Sequence, residues 1–315
     1  MGRAKDKRDI YYRKAKEEGF RARSAFKLLQ IDEAFHVLDG AKRVVDLCAA
    51  PGSWSQVLSR RLHPDAGALT PDVRIVAVDL QPMSPVRGVV QIVGDITKEA
   101  TAREIIAQLG DAPADLVISD GAPDVTGMHD VDQYNQGQLM LAALNIATFV
   151  MRPGATFVAK MFRGKDVGLL YAQMKVWFPR VAIVKPKSSR NSSIESFIVC
   201  QDFCPPPGFT PTMIAPSSTG VYRLFPTSFF PLFVSLSPSP WSTLLTHFTH
   251  FKHKTAPSGM RPEIVPFLAC GDLSGYDADM TYPIGKDEHV PREPVQPPIE
   301  PPYKVAALMK QLGQL

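Results

Sequence analysis

Lys160 stands inside the run ATFVAKMF, whose other residues are mostly apolar. A lysine in such a segment is almost never buried without a partner. Two readings are open: a salt bridge at a strand end, or an amine near Asp120 whose pKa is lowered enough to take a proton from an alcohol. Lys27 lies among Phe26, Leu28 and Leu29, where an isolated lysine snorkels its ammonium to the surface. Glu195 follows the polar stretch Ser188-Ser189-Arg190-Asn191-Ser192-Ser193 and, by itself, suits a charged gatekeeper on an edge strand. Four acids, Asp46, Asp79, Asp95 and Asp120, each close a short apolar run. One such aspartate is explained as a solvated strand end or a helix cap. Four in succession point to a ligand beyond the strand ends.

Those runs are Arg43–Leu47, Arg74–Leu80, Val89–Ile96 and Asp115–Ser119, followed by Ala155–Met161, Val181–Lys185 and Ser196–Val199. Amphipathic helical stretches alternate with them, near 24–38, 53–62, 101–109, 131–151 and 167–178, with Ser24 as a candidate cap for the first. The alternation predicts an α/β doubly wound fold: seven strands, mostly parallel, flanked by helices. Only a loop joins the last two runs, so one antiparallel strand is expected at the sheet edge. After the first run comes Asp46-Leu47-Cys48-Ala49-Ala50-Pro51-Gly52-Ser53-Trp54. Its small residues let backbone approach a ligand, and the next helix offers free N–H groups. It is not G-x-G-x-x-G, which argues against a dinucleotide and an NAD-dependent dehydrogenase. Asp79 suits ribose hydroxyls and Asp95 an adenine amino group. An adenosyl ligand without a pyrophosphate is S-adenosyl-L-methionine.

The chain of 315 residues is 45% hydrophobic and 21% charged, a globular composition. Its net charge of +4 is less than the +6 carried by residues 1–27 alone, so the basic charge sits in an N-terminal arm. Four cysteines at irregular spacing exclude a disulfide scaffold. The Cys200/Cys204 pair lacks the further ligands of a zinc site, so no metal is expected. Neither a signal peptide nor a membrane span is visible, which fits a cytoplasmic protein.

The motifs DLCAAPGSWSQ, VISDGAPD, FVAKMF and KPKSSRNSSIESFIVC, with RARSAFKL upstream, resemble the FtsJ (RrmJ) family of RNA ribose 2′-O-methyltransferases, over residues 7–204. The resemblance implies a Rossmann-like class I methyltransferase and places a K-D-K-E catalytic tetrad on Lys27, Asp120, Lys160 and Glu195. It also implies that Gly52, Trp54, Asp79, Asp95 and Asp120 line the methyl donor's pocket. Lys160 is then expected to accept the proton and Lys27 to orient the hydroxyl or a phosphate, while Arg21 and Arg23 contact RNA phosphates. CGDLSGYDAD (270–279) and PPIEPPY (297–303) resemble the eukaryotic cytosolic branch that methylates tRNA anticodon-loop positions 32 and 34. That branch works with separate helical-repeat and WD-repeat partner proteins. Alternatives are methylation of rRNA or an mRNA cap, or a catalytically silent RNA-binding scaffold.

The expected division is a basic arm (1–23), a methyltransferase domain (24–204), an insertion (205–262) and a C-terminal extension (263–315). The insertion holds eleven prolines, seven phenylalanines, four basic residues and no acid, a composition expected to be poorly ordered. Beyond it, Ile264–Cys270 suits one more strand or an extended segment against the core.

Overall fold

A computed structural model describes residues 9–65, 67–124, 126–211 and 265–282. The expected insertion falls almost entirely outside the described residues, as does the Pro-rich tail. Helix α1 spans Ile10–Glu17, α2 Ala25–Phe35, α3 Ser53–Leu62, α4 Glu99–Gln108, α5 His129–Val150 and α6 Val167–Trp177. The strands are β1 Arg43–Leu47, β2 Arg74–Asp79, β3 Val89–Val93, β4 Ala114–Ser119, β5 Met151–Phe162, β6 Arg180–Pro186, β7 Glu195–Gln201 and β8 Phe267–Cys270.

All eight strands form one sheet, in the order β3-β2-β1-β4-β5-β7-β6-β8. The doubly wound class is as expected, with two corrections to the predicted sheet. It has eight strands, because β8 pairs parallel with β6. The antiparallel strand, β7, lies between β5 and β6 and not at the rim. The short loop from β6 to β7 forces the antiparallel pairing, as expected. The inner position follows from β7 itself, whose Phe197, Ile198, Val199 and Cys200 are all buried and need cover on both faces.

The chain order reverses between β1 and β4. There the carboxyl ends of neighbouring parallel strands diverge into loops on opposite faces, the position where this architecture binds ligands. One face of the sheet packs on α4, α5 and α6 through residues such as Val117, Leu144 and Phe157. The other packs on α2 and α3 through Leu28, Trp54, Leu58 and Phe197. The two layers fix the sites that the strand ends present.

Helix α1 is capped by Asp9, whose carboxylate accepts from the N–H groups of Tyr11 and Tyr12 at 3.0 and 3.1 Å. Its Ile10 and Tyr11 are buried against Ala278 and Tyr282, so the start of the described chain and its last stretch form one small cluster. Ser24 differs from its expected role. Its hydroxyl makes no cap bond and instead meets the Ser53 hydroxyl at 2.6 Å, joining the starts of α2 and α3.

Candidate active site

Two groups of residues meet at the carboxyl ends of β1, β2, β4, β5 and at the start of β7. The first is the turn between β1 and α3. Gly52 has φ of +100°, a conformation that disfavours a side chain, and a Cβ there would lie 2.7 Å from Arg21 Nη1. Asp79, at the end of β2, accepts from the Ala50 N–H at 2.9 Å and from the Gln81 N–H at 2.9 Å. It therefore holds the turn in place while keeping unused lone pairs. Asp95 accepts from the Thr97 N–H at 2.9 Å. After β4, Gly121 passes so close to β1 that a Cβ would sit 2.8 Å from that of Cys48.

Asp46 lies one residue before the end of β1 and is almost fully buried. Its Oδ2 accepts from Ser55 Oγ at 2.6 Å, and its Oδ1 has no hydrogen-bond partner among the described residues. Burial, with Asp120 and Asp79 nearby, pushes its pKa up to about 7 against the pull of the Ser55 hydroxyl.

The second group is a chain of alternating charges. Lys27 Nζ lies 2.7 Å from both Glu195 oxygens. Glu195 Oε1 also accepts from Ser189 Oγ at 2.7 Å, and Oε2 lies 3.9 Å from Lys160 Nζ. Lys160 in turn meets Asp120 Oδ1 at 2.8 Å and the Asp120 carbonyl at 2.7 Å. Sheet register makes this possible. Lys160 is paired with Phe197 and Phe162 with Glu195, so Lys160 and Glu195 are diagonal neighbours on one face. Lys27 reaches that face from α2, above the Phe197 ring at 5.7 Å. The structure thus brings together Lys27, Asp120, Lys160 and Glu195, which span 168 residues of sequence. Lys27 is buried in the contact and does not snorkel outward, because Glu195 provides the counter-charge that solvent would otherwise supply.

The charge state of Lys160 requires a correction. Burial alone would lower its pKa, but Asp120 and Glu195 together outweigh it, and the pKa is raised. Lys160 is an ammonium at neutral pH and not a lowered-pKa amine. Glu195 shows the mirror effect. Burial would raise its pKa, yet Lys27 and Lys160 hold the carboxyl well below the usual carboxylate range.

Three other expected site residues turn out to be internally engaged. Trp54 is 2% exposed; its ring packs on Phe197 and its Nε1 donates to the Ser24 carbonyl at 2.8 Å. Its side chain belongs to the core between α2, α3 and the sheet, and does not line the turn between β1 and α3. Arg21 donates to the Pro51 and Pro85 carbonyls, each at 2.9 Å, bracing that turn from behind. Arg23 pairs with Asp9 and donates to the Ser188 carbonyl.

Sequence reasoning missed the strap that holds the Glu195 loop. Asp279 Oδ2 accepts from the Asn191 N–H at 2.6 Å, and Asp277 accepts from the Asn191 side chain at 3.2 Å. Tyr11 Oη donates to the Tyr276 carbonyl at 3.0 Å, and Lys14 lies over the Tyr276 ring. The motif CGDLSGYDAD therefore ties the last described residues to both α1 and the loop that presents Ser189 and Glu195. Its run of aspartates was the available signal, but no local pattern says which loop they grip. Among the described residues no cluster of His, Cys, Asp and Glu could hold a metal ion, and no helix is long and apolar enough to cross a membrane.

Residues 20–203 match the family model of the FtsJ-like methyltransferases. The chain belongs to that family. It is 53% identical to the mouse tRNA (cytidine(32)/guanosine(34)-2′-O)-methyltransferase over 319 aligned positions, covering 100% of this chain and 88% of that protein. The Schizosaccharomyces pombe protein of the same name is 51% identical, with 98% of each chain covered. Among solved structures, a ribosomal RNA methyltransferase, described as putative, from Plasmodium falciparum superposes with a TM-score of 0.52 at 28% identity, covering 58% of this chain and 98% of its own.

Proposed function

We propose that the protein transfers a methyl group from S-adenosyl-L-methionine to ribose 2′-hydroxyls of the tRNA anticodon loop, at positions 32 and 34. The observation that carries the chemistry is the buried Lys27–Glu195–Lys160–Asp120 chain beside a glycine turn. The relatives named for positions 32 and 34 support the substrate, because they align with the whole chain, including the strap. The structure named for ribosomal RNA covers 58% of it.

The donor half fits that methyl donor. The first turn of α3 offers N–H groups to the carboxylate of the donor's amino-acid end. Asp79 and Asp95 keep lone pairs for the ribose and the adenine amino group. Gly52 keeps the turn open, since a side chain there would press on Arg21. The donor supplies a methyl group already activated by its sulfonium charge.

The acceptor half orients the hydroxyl. The Lys160 ammonium donates to one lone pair of the ribose oxygen and fixes its orientation, leaving the other lone pair aimed at the methyl carbon. Lys27 and Glu195 fix that ammonium and present a second positive charge for the neighbouring phosphate. Oxygen under alkylation becomes strongly acidic, so a carboxylate suffices as acceptor, and Asp120, 2.8 Å from Lys160, takes the proton. Arg21 and Arg23 support RNA contact mainly by holding the donor turn and the Ser188 loop. Separate helical-repeat and WD-repeat partner proteins that select the site, and a cytoplasmic location, complete the proposal.

The test is labelled S-adenosyl-L-methionine with unmodified tRNA, wild type and Lys160→Ala, with and without partner proteins, followed by mapping of 2′-O-methyl sites. Label at anticodon-loop riboses, absent from the variant, is expected. Transfer to rRNA or capped RNA but not tRNA would move the protein to another substrate. Donor binding with no transfer to any RNA would leave a silent scaffold.

A further inference from the structure

A cavity of about 390 Å3 opens between α3 and the loop before β3, on the far side of the donor turn. It is lined by Arg21, Ser59, Arg60, His63, Pro85 and Arg87 among others, and by no acidic residue. The three guanidiniums are positioned by carbonyl oxygens. Arg21 Nη2 donates to Pro85 at 2.9 Å and Arg60 Nη2 to Glu18 at 3.0 Å. Arg87 Nη2 donates to Asp65 and Ala68 at 2.8 and 2.6 Å, in each case to the backbone. Among the described residues none of the three has a carboxylate within ion-pair distance, in contrast to Arg23, Arg103, Arg152 and Arg180. Three guanidiniums thus surround one hollow with no ion-paired carboxylate among the described residues.

His63 does not add to this charge. Its Nδ1 accepts from the Thr70 N–H at 3.0 Å, which leaves the ring proton on Nε2. Burial, with Arg87 nearby, keeps its pKa below the ordinary value, so the ring is neutral at physiological pH. Ser59 Oγ donates to the Arg87 carbonyl at 2.6 Å and ties the loop to the helix, so the walls are held from both sides.

We infer that this cavity binds a phosphodiester of the RNA strand, a few nucleotides from the ribose that reacts. Guanidinium forks held by carbonyls keep their remaining N–H groups oriented for a phosphate's paired oxygens. The position fits a continuing strand. Helix α3 begins at Ser53, bonded to Ser24 one turn from Lys27, and ends about 15 Å away beside the cavity, at 1.5 Å per residue. Arg21 connects the two, because its Nη1 donates to Pro51 in the donor turn while its Nη2 faces the cavity loop. The inference rests on the RNA substrate proposed above.

The experiment compares the full chain, wild type and Arg60→Gln/Arg87→Gln, in tRNA binding over a salt series, with donor affinity and melting temperature measured alongside. The double variant is expected to bind tRNA about tenfold more weakly, with a log–log salt slope shallower by about 1.4, at about 0.7 per single-strand phosphate contact. Arg60→Lys/Arg87→Lys should restore the slope, and donor affinity should be unaltered in both. An unchanged slope and affinity in the glutamine variant overturns the assignment. So does a loss that follows a lowered melting temperature and is not restored by lysine. If inorganic phosphate raises the wild-type melting temperature while the substitutions leave tRNA affinity untouched, the cavity belongs to a free anion and the assignment also fails. A wild type that neither binds nor methylates tRNA instead fails the substrate proposal, and the same salt series on rRNA fragments then decides the cavity.

Discussion

The donor and acceptor halves of the site adjoin at Asp120, yet they are built from different materials. The donor half is a contiguous turn of small residues held by backbone amides on Asp79, with one buried carboxyl, Asp46, raised toward neutrality. The acceptor half is made of full charges contributed by α2, the end of β4, β5 and β7, each neutralised by the next. A compensated charge chain can be buried at modest cost while Lys160, flanked by Glu195 and Asp120, stays charged. The contrast teaches that the donor half should fail through geometry and the acceptor half through electrostatics.

The largest expected effect lies in the acceptor half. Lys160→Ala removes the ammonium and leaves Asp120 without its partner, so transfer should fall by at least about 100-fold while donor affinity changes little. Single-turnover rates and equilibrium dialysis separate the two. If donor affinity collapses as well, the halves are not independent and the comparison breaks. A pH series sharpens it further. A neutral amine acting as base with the raised pKa of Lys160 would make the rate climb about tenfold per pH unit through pH 9, a climb that a Lys160 ammonium does not give.

Next comes Gly52→Val in the donor half. The left-handed backbone costs a non-glycine residue about 1–2 kcal/mol, and the new side chain presses on Arg21. Donor affinity should drop by tenfold or more, and a binding isotherm for the donor gives the answer.

Asp46 provides a smaller effect with a definite sign. Its folded pKa of about 7 exceeds the unfolded value of about 3.9, so the folded state binds more protons between those limits. Stability attributable to Asp46 is therefore present below about pH 4 and lost as pH rises toward 7. Asp46→Asn should raise the melting temperature at pH 8 by several degrees and at pH 5 by less. Equal shifts at both pH values would show that Asp46 is not held protonated.

The smallest effect is expected at the strap. Asp279→Ala removes the 2.6 Å bond to the Asn191 amide and loosens the loop that carries Ser189 and Glu195. The turnover rate should fall a few-fold with donor affinity unchanged, at a stability cost of about 1 kcal/mol. Steady-state kinetics beside a denaturation curve would show it.

The order of helices and strands was legible because alternation of apolar runs is a property of near neighbours along the chain. The same holds for the DLCAAPGSW turn and the four strand-end aspartates. Trp54, Arg21 and Arg23 were less legible. The family resemblance suggests ligand contact for Trp54, and positive charge suggests it for the two arginines, but their partners are Ser24, Pro85 and Ser188, brought close only by folding. The place of β7 in the sheet likewise depended on which strand its buried faces could pair with.

Alternating apolar runs determined the doubly wound class, and long motifs resembling the FtsJ family picked out Lys27, Asp120, Lys160 and Glu195, although each residue read alone had a bland explanation. Their charge was settled by the folded arrangement. Whether Lys160 is an amine or an ammonium depends on how much water is removed and on which carboxylates remain within a few ångströms. Those carboxylates, Asp120 and Glu195, are supplied by different strand ends, and no stretch of sequence contains the distance between them.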